Sequence, residues 1–269
     1  MTRLFATRIS SFSDADSVFD GYQRRMTEIL QKTIPYDALA DVSLPGIGPM
    51  DKNDWVLVDD AFAAQMSERE RLLAERREEV VAVTAGAEEA CAELLDAVLS
   101  ALESRADYQV GPSVKRPDGR RVVVDENDPL GTLCKLVQQD FCVLEKRGDE
   151  HVMTAAVLCF PASWTLEEKI GKPLIDIHIP VSEYDANIAR RVQRLFDGIR
   201  VGKPLWRKNA HWYLEPDLFH PRRENAPRKQ EVEGNYLRSE RQSLVRLPKS
   251  QAVIFGIHTF VLRREDLPA

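Results

Sequence analysis

The residues of this chain that could do chemistry are its histidines, a polar strand near the C-terminus and four cysteines. The five histidines are His151, His178, His211, His220 and His258. His178 stands between Ile177 and Ile179, with Pro180 closing the run. An imidazole in an apolar run is expensive to bury unless a hydrogen bond or a metal satisfies it. His178 is therefore either a hydrogen-bonded core residue or a metal ligand. His258 falls mid-strand with Ile254 and Phe260 on its face, so it points into a pocket or simply packs. His151 opens a strand at a hairpin and reads as exposed. His211 and His220 flank a polar segment and read as surface groups. No HxxxH or HExxH spacing occurs, which argues against a zinc site built on one helix.

The stretch Leu237-Arg238-Ser239-Glu240-Arg241-Gln242-Ser243-Leu244-Val245-Arg246 is unusually polar for a strand. Alternation puts Arg238, Glu240 and Gln242 on one face and Ser239 and Arg241 on the other. Such a strand is an edge with a solvated face, or it lines a polar site. In a site, its arginines would bind carboxylates through bidentate, charge-assisted contacts. Arg207 and Asn209 on the preceding strand could join them.

Cys91, Cys134, Cys142 and Cys159 form no CxxC pair and no zinc-knuckle spacing. Each lies in an apolar stretch, which points to reduced, buried thiols and a cytoplasmic compartment. No cysteine cluster could hold an iron–sulfur centre. There is neither a GxGxxG after a strand nor a GxxxxGK[ST], so no dinucleotide or P-loop site is signalled.

These groups need elements to position them. Pro- and Gly-rich residues 34–54 read as an extended connection. Asp59-Asp60 can cap a helix from Ala61 to about Val83, whose alternating charges over residues 67–79 make a solvated face. A second helix spans about Ala87 to Arg105. A turn at Pro117-Asp118-Gly119 leads to a short strand at Arg121–Asp125, and a short helix follows Asn127-Asp128-Pro129.

Strands then dominate. Phe141–Lys146 and His151–Phe160 form a hairpin about an Arg147–Glu150 turn. A helical segment at Trp164–Gly171, an irregular run at Leu174–Val181 carrying His178, and an amphipathic helix at Asp185–Ile199 come next. Three strands follow at Leu205–Leu214, Tyr236–Leu247 and Ala252–Leu262, with a long loop at Pro221–Gly234. This order predicts an α+β fold with a PAS-like five-stranded antiparallel sheet and covering helices. An N-terminal extended segment and helical layer (1–110) would pack on the main domain (111–269) as one continuous unit. His178 then lies between the second and third strands, where such a fold holds a ligand.

The 269 residues suffice for a sizeable core, and the net charge of −6 with scattered basic residues argues against nucleic acid. No stretch approaches the length of a membrane helix. Residues 1–13 carry Arg3 and Arg8 among Ser and Thr, but Asp14 and Asp16 follow at once. They read as a surface start to the fold, not a transit peptide.

Several segments together resemble one family. They are Leu158-Cys159-Phe160-Pro161-Ala162-Ser163-Trp164, Glu168-Lys169-Ile170-Gly171-Lys172-Pro173-Leu174 and Ile177-His178-Ile179-Pro180-Val181. Arg190–Gly198, Leu237–Leu244, Arg246-Leu247-Pro248 and Phe255–Phe260 continue the pattern. Upstream, Asp54-Trp55, Asp59 and the helix carrying Arg69, Leu72 and Leu73 agree. Over about residues 45–265 the sequence resembles the heme-dependent oxidative N-demethylases.

The resemblance implies a PAS-like domain that has become an enzyme. It would hold heme b and oxidise the N-methyl group of a small secondary amine with dioxygen, releasing formaldehyde. Electrons would come from NADPH through a separate reductase subunit carrying FMN and [2Fe-2S]. The histidine of the Ile-His-x-Pro-Val motif maps to His178 as the iron ligand. A heme needs only one protein ligand. Arg207, Arg238, Arg241 and His258 are then expected around the cofactor. Arg207-Lys208-Asn209-Ala210 departs from the Arg-x-Asn-Trp of similar sequences. Two rival readings are a PAS-like heme or small-ligand sensor without turnover, and a structural subunit that has lost its cofactor. An oligomer is compatible with either.

Overall fold

A computed structural model describes residues 28–40, 46–178, 186–226 and 234–267. The expected surface start at 1–13, residues 179–181 of the His178 run, Asp185, and residues 227–233 of the long loop lie outside the described residues.

In chain order, β1 (Gly48–Pro49) is followed by α1 (Phe62–Glu75), α2 (Arg77–Val80) and β2 (Val81–Val83). The helix predicted as far as Val83 is thus interrupted. Arg76 leaves helical backbone at φ −139°, and the β-branched end of the segment joins the sheet instead. Next come α3 (Glu88–Glu103), β3 (Ser113–Lys115), β4 (Arg121–Val123) and α4 (Pro129–Leu136). Asp128 caps α4 by accepting from the Gly131 N–H at 3.0 Å. β3 and β4 form a separate hairpin. Then follow β5 (Asp140–Arg147), β6 (Glu150–Val157), α5 (Leu174–His178) and α6 (Ala186–Gly198). The chain closes with β7 (Leu205–Tyr213), β8 (Tyr236–Arg246) and β9 (Val253–Arg263). The β5–β6 turn needs Gly148, whose φ is +62°. Residues 164–171 form turns where a helix was expected, and the run holding His178 forms the short helix α5.

Among the described residues the main sheet has seven strands, in the order β1-β7-β8-β9-β5-β6-β2, and every neighbouring pair is antiparallel. Five strands were expected. The two extra ones are very short strands at opposite edges, too short for any alternation to show in the sequence. They also bring residues before 110 into the main sheet.

Both faces of the sheet are covered. Phe141, Val143, Ala155, Val157 and Ile254 pack in one core with Met66, Leu72, Leu94, Val98 and Leu133 from α1, α3 and α4. Cys142, Leu144, Ala156, Leu244, Phe255 and Ile257 pack on the other face with Leu174 and Ile177 of α5 and Val192, Leu195 and Phe196 of α6. Double burial explains why β5 and β6 read as nearly continuous apolar runs.

β9 outruns β5, since their pairing ends at Asp140–Ile257. Gln31 closes the open edge. Its backbone N–H donates to the Val261 carbonyl at 2.9 Å, and its side-chain oxygen accepts from the Val261 N–H at 2.8 Å. Its amide also donates to the Thr259 carbonyl at 3.1 Å, beside that of Gln65 at 3.0 Å. Segment 28–40 therefore acts as a strap that leaves no β9 carbonyl bare at Thr259.

The start of β5 is fixed by a fully buried ion pair. Arg69 Nη1 lies 2.5 Å from Asp140 Oδ1. The same guanidinium donates to the carbonyls of Cys134 (3.1 Å), Gln138 (3.1 Å) and Gln139 (2.9 Å). Asp140 also accepts the backbone N–H groups of Cys159 and Phe160, each at 2.8 Å. Removing one partner of such a pair strands a buried charge. Arg69→Leu is expected to lower unfolding stability by about 4 kcal/mol, read as a shift of the urea midpoint.

Candidate functional site

Strand register sorts the chemistry-bearing residues between the two faces. Arg207 lies opposite Gln242, Asn209 opposite Glu240, and Glu240 opposite Thr259. These residues alternate in step with Leu205, Leu244, Phe255 and Ile257, which lie in the core under α5 and α6. Trp206, Arg241, His258 and Phe260 point to the opposite face.

On the α5/α6 face a ladder of polar groups runs across β7, β8 and β9. Glu240 is buried at 5% exposure. Its Oε2 accepts from Asn209 Nδ2 at 2.9 Å and Gln242 Nε2 at 2.8 Å. Asn209 Oδ1 accepts the Glu240 backbone N–H at 3.0 Å, which locks the pair. Arg207 is half-buried, and its Nε has no hydrogen-bond partner among the described residues. Burial pulls the Arg207 pKa down, and the nearby Glu240 charge opposes this. The Thr259 hydroxyl is also buried without a partner among the described residues.

α5 ends at His178 and covers this same face, because Leu174 and Ile177 pack into its core. Lys169 clamps the helix end. Its Nζ donates to the Ile177 carbonyl at 2.5 Å and pairs with Glu224 at 2.6 Å. The sheet thus brings together, on one face, Arg207 and the helix whose last residue is His178.

The other expected site residues sit elsewhere or are engaged. Arg238 follows the Glu240 alternation, but its guanidinium donates to three main-chain carbonyls. These are Phe160 (2.6 Å), Leu218 (3.0 Å) and Asp217 (3.2 Å). It ties β8 to the end of β6 and to the loop after β7. Burial lowers its pKa, against the field of Glu240. Arg241 lies over the Trp206 ring at 5.2 Å and donates to the Asp54 carbonyl at 2.8 Å.

His258 has both ring nitrogens occupied. Nε2 lies 2.8 Å from Asp59 Oδ2 and Nδ1 3.1 Å from the Gln139 amide. It belongs to a buried polar network with Gln138, which donates to Asp59 and to Gln65. A histidine held this way has no lone pair free for a metal.

His151, expected to be exposed, is buried because α6 packs over the hairpin. Gln193 of α6 meets its Nδ1 at 2.7 Å, and the Phe196 ring centroid is 5.4 Å away. His211 is exposed, as expected, and His220 packs edge-on against Tyr213.

The sequence reading passed over Glu240 and Thr259 as site residues. The available signal was strand alternation, which already set Glu240 beside Gln242. What it lacked was the register across β7, β8 and β9.

An antiparallel sheet covered by helices on both faces defines an α+β domain. The model of the family described as Haem-dependent oxidative N-demethylase, alpha subunit-like, matches residues 46–269. The chain belongs to this family. The family is one of heme-dependent oxidative enzymes, and its name marks the chain as like one subunit of a multi-subunit assembly. No helix among the described residues is long and apolar enough to cross a membrane.

The residues present fit a heme on the α5/α6 face. The unpartnered Arg207 Nε suits a propionate.

The Asp59–His258 contact makes a separate prediction. Burial alone would raise the Asp59 pKa. The hydrogen bond and charge of His258, with the amides of Gln138 and Gln31, outweigh it and hold the carboxyl below its ordinary value. The pair's stabilisation is therefore present above the unfolded pKa of about 3.9 and lost as pH falls through the lower folded value. His258→Ala is expected to lower stability at pH 7 by about 3 kcal/mol. The deficit should shrink in urea titrations below pH 4.

Proposed function

We propose that the chain is the heme-binding subunit of an oxidative N-demethylase, a PAS-like domain that holds heme b between its sheet and helices α5 and α6. The observation that carries this reading is the family match over residues 46–269. The strand order supports the PAS-like part. The first and last of the five long strands, β5 and β9, pair at the centre of the sheet. His178 would hold the heme iron, and Arg207 would bind a propionate through charge-assisted hydrogen bonds. Helices α5 and α6 exclude water from the face, which strengthens every polar contact beneath them. When bound, the heme supplies the redox chemistry with dioxygen, while the protein supplies ligand, pocket shape and access.

The net reaction converts a secondary N-methylamine, dioxygen, two electrons and two protons into a primary amine, formaldehyde and water. The electrons come from NADPH through a reductase subunit carrying FMN and [2Fe-2S]. The cytoplasm is the compartment that would supply that reductant.

Two measurements check this. The purified protein supplied with heme should show a Soret band. With a chemical reductant, air and a small secondary methylamine, it should release formaldehyde. His178→Ala should lose the heme or change its axial spectrum, whereas His258→Ala should keep both band and position. An unaltered spectrum in the His178 variant, with the band lost in the His258 variant, would assign the ligand to the other face.

A further inference from the structure

The Arg69–Asp140 pair grips the main chain of two cysteines at once. Arg69 Nε donates to the Cys134 carbonyl at 3.1 Å, and Asp140 Oδ1 accepts the Cys159 N–H at 2.8 Å. The two thiols are fully buried, and their sulfurs meet at 3.4 Å, one S–H donating to the other sulfur. Cys134 Sγ also lies 3.7 Å from the Arg69 carbonyl. Cys134 sits on α4 and Cys159 just beyond β6, so no CxxC spacing marks the pair in the sequence. Because one buried ion pair holds both backbones, the sulfurs are kept in contact.

The surroundings of the two thiols differ. The hydrogen bond from Cys159 holds the Cys134 thiol below its ordinary pKa against burial, and the Arg69 guanidinium helps. Burial pushes the Cys159 thiol up, and its hydrogen bond to Cys134 acts the same way. One member is thus readied as a thiolate and the other keeps its proton. Cys91 and Cys142 have no such partner among the described residues. Burial pushes the Cys91 thiol up to about 12 and raises that of Cys142 as well.

We infer that Cys134 and Cys159 form a reversible oxidation site, a dithiol that hydrogen peroxide converts to a disulfide joining α4 to the end of β6. The sulfurs need to close by only about 1.4 Å to reach the disulfide bond length of about 2.05 Å. The Cys134 sulfur attacks one peroxide oxygen and the O–O bond breaks, giving a sulfenic acid and one water. The Cys159 sulfur then displaces the hydroxyl from Cys134, and its proton leaves with that hydroxyl as a second water. Two thiols and one peroxide thus give one disulfide and two waters. Peroxide is little larger than water and enters through local opening of α4, which has only 8 residues. The bond closes a loop that holds the β5–β6 hairpin, which restricts the unfolded chain and stabilises the fold. Both cysteines lie in the core under α1, α3 and α4, so the site does not depend on the heme reading.

The test treats the full chain with hydrogen peroxide under native conditions. The protein is then unfolded in excess N-ethylmaleimide and its peptides are mapped by mass spectrometry. Cys134 and Cys159 should be recovered as one disulfide-linked pair, with Cys91 and Cys142 alkylated. Dithiothreitol should restore alkylation of all four cysteines. The thermal unfolding midpoint should rise on oxidation, and Cys159→Ser should lose both the linked pair and the rise. Alkylation of all four cysteines after peroxide overturns the site. So does a disulfide or sulfinic acid at Cys91 or Cys142 in place of the linked pair. A lower midpoint in the oxidised protein overturns it as well, because the bond would then have formed only in opened chains. Should the variant fail to fold, the wild-type map and midpoint decide alone.

Discussion

The ion pair between Arg69 and Asp140 is the constraint from which the rest of the molecule is hung. One guanidinium, fully buried, gathers the C-terminal end of α4, the residues leading into β5 and the carboxylate at the first residue of that strand. The same carboxylate holds the main chain just beyond β6. Three consequences follow from the fixed positions. Gln139 is set to meet His258. The Phe160 carbonyl is set to receive Arg238. And β5 enters the sheet centre in the register that orients Cys142, Phe255 and Ile257 toward α5 and α6. Such a pair contributes little net stability when measured against an apolar core. Its effect here is on register, and a one-residue slip would turn every face inside out.

The two faces of the sheet then have different uses. On the face under α1, α3 and α4, His258, Asp59 and the glutamines Gln31, Gln65 and Gln138 complete most of one another's hydrogen bonds, and among the described residues the Gln139 amide oxygen is left without a partner. The face under α5 and α6 carries more such unpartnered groups, at Arg207, Arg238, Thr259 and His151. Buried polar groups without partners are rare in folded proteins and need a reason. A ligand supplied from outside the chain is the reason adopted here, and the family to which the chain belongs gives that ligand its identity.

Much of this was legible in the sequence because its periodicities are strong. The long strands and α3, α4 and α6 lie within a few residues of their expected places, since apolar alternation and helical spacing run over many residues there. The edge strands β1 and β2, the break at Arg76 and the Gln31 strap were not legible. Each depends on partners far away in the chain, and none leaves a local pattern. The site was half legible. Alternation separated Arg238 and Glu240 from Arg241, but only the β7–β8–β9 register shows which set lies under α5. His178 and His258 looked alike as histidines in apolar strand-like runs. The difference is that Asp59 and Gln139, distant in sequence, already occupy both nitrogens of His258.

The central claim is therefore that heme lies on the α5/α6 face. Amide hydrogen exchange of the full chain with and without bound heme tests this most directly. The account predicts slowed exchange in residues 174–178 and 186–198, with α1, α3 and the strap at 28–40 unchanged. Slowing in the strap and α1, with α5 and α6 unaffected, would place the cofactor beside His258 and contradict it.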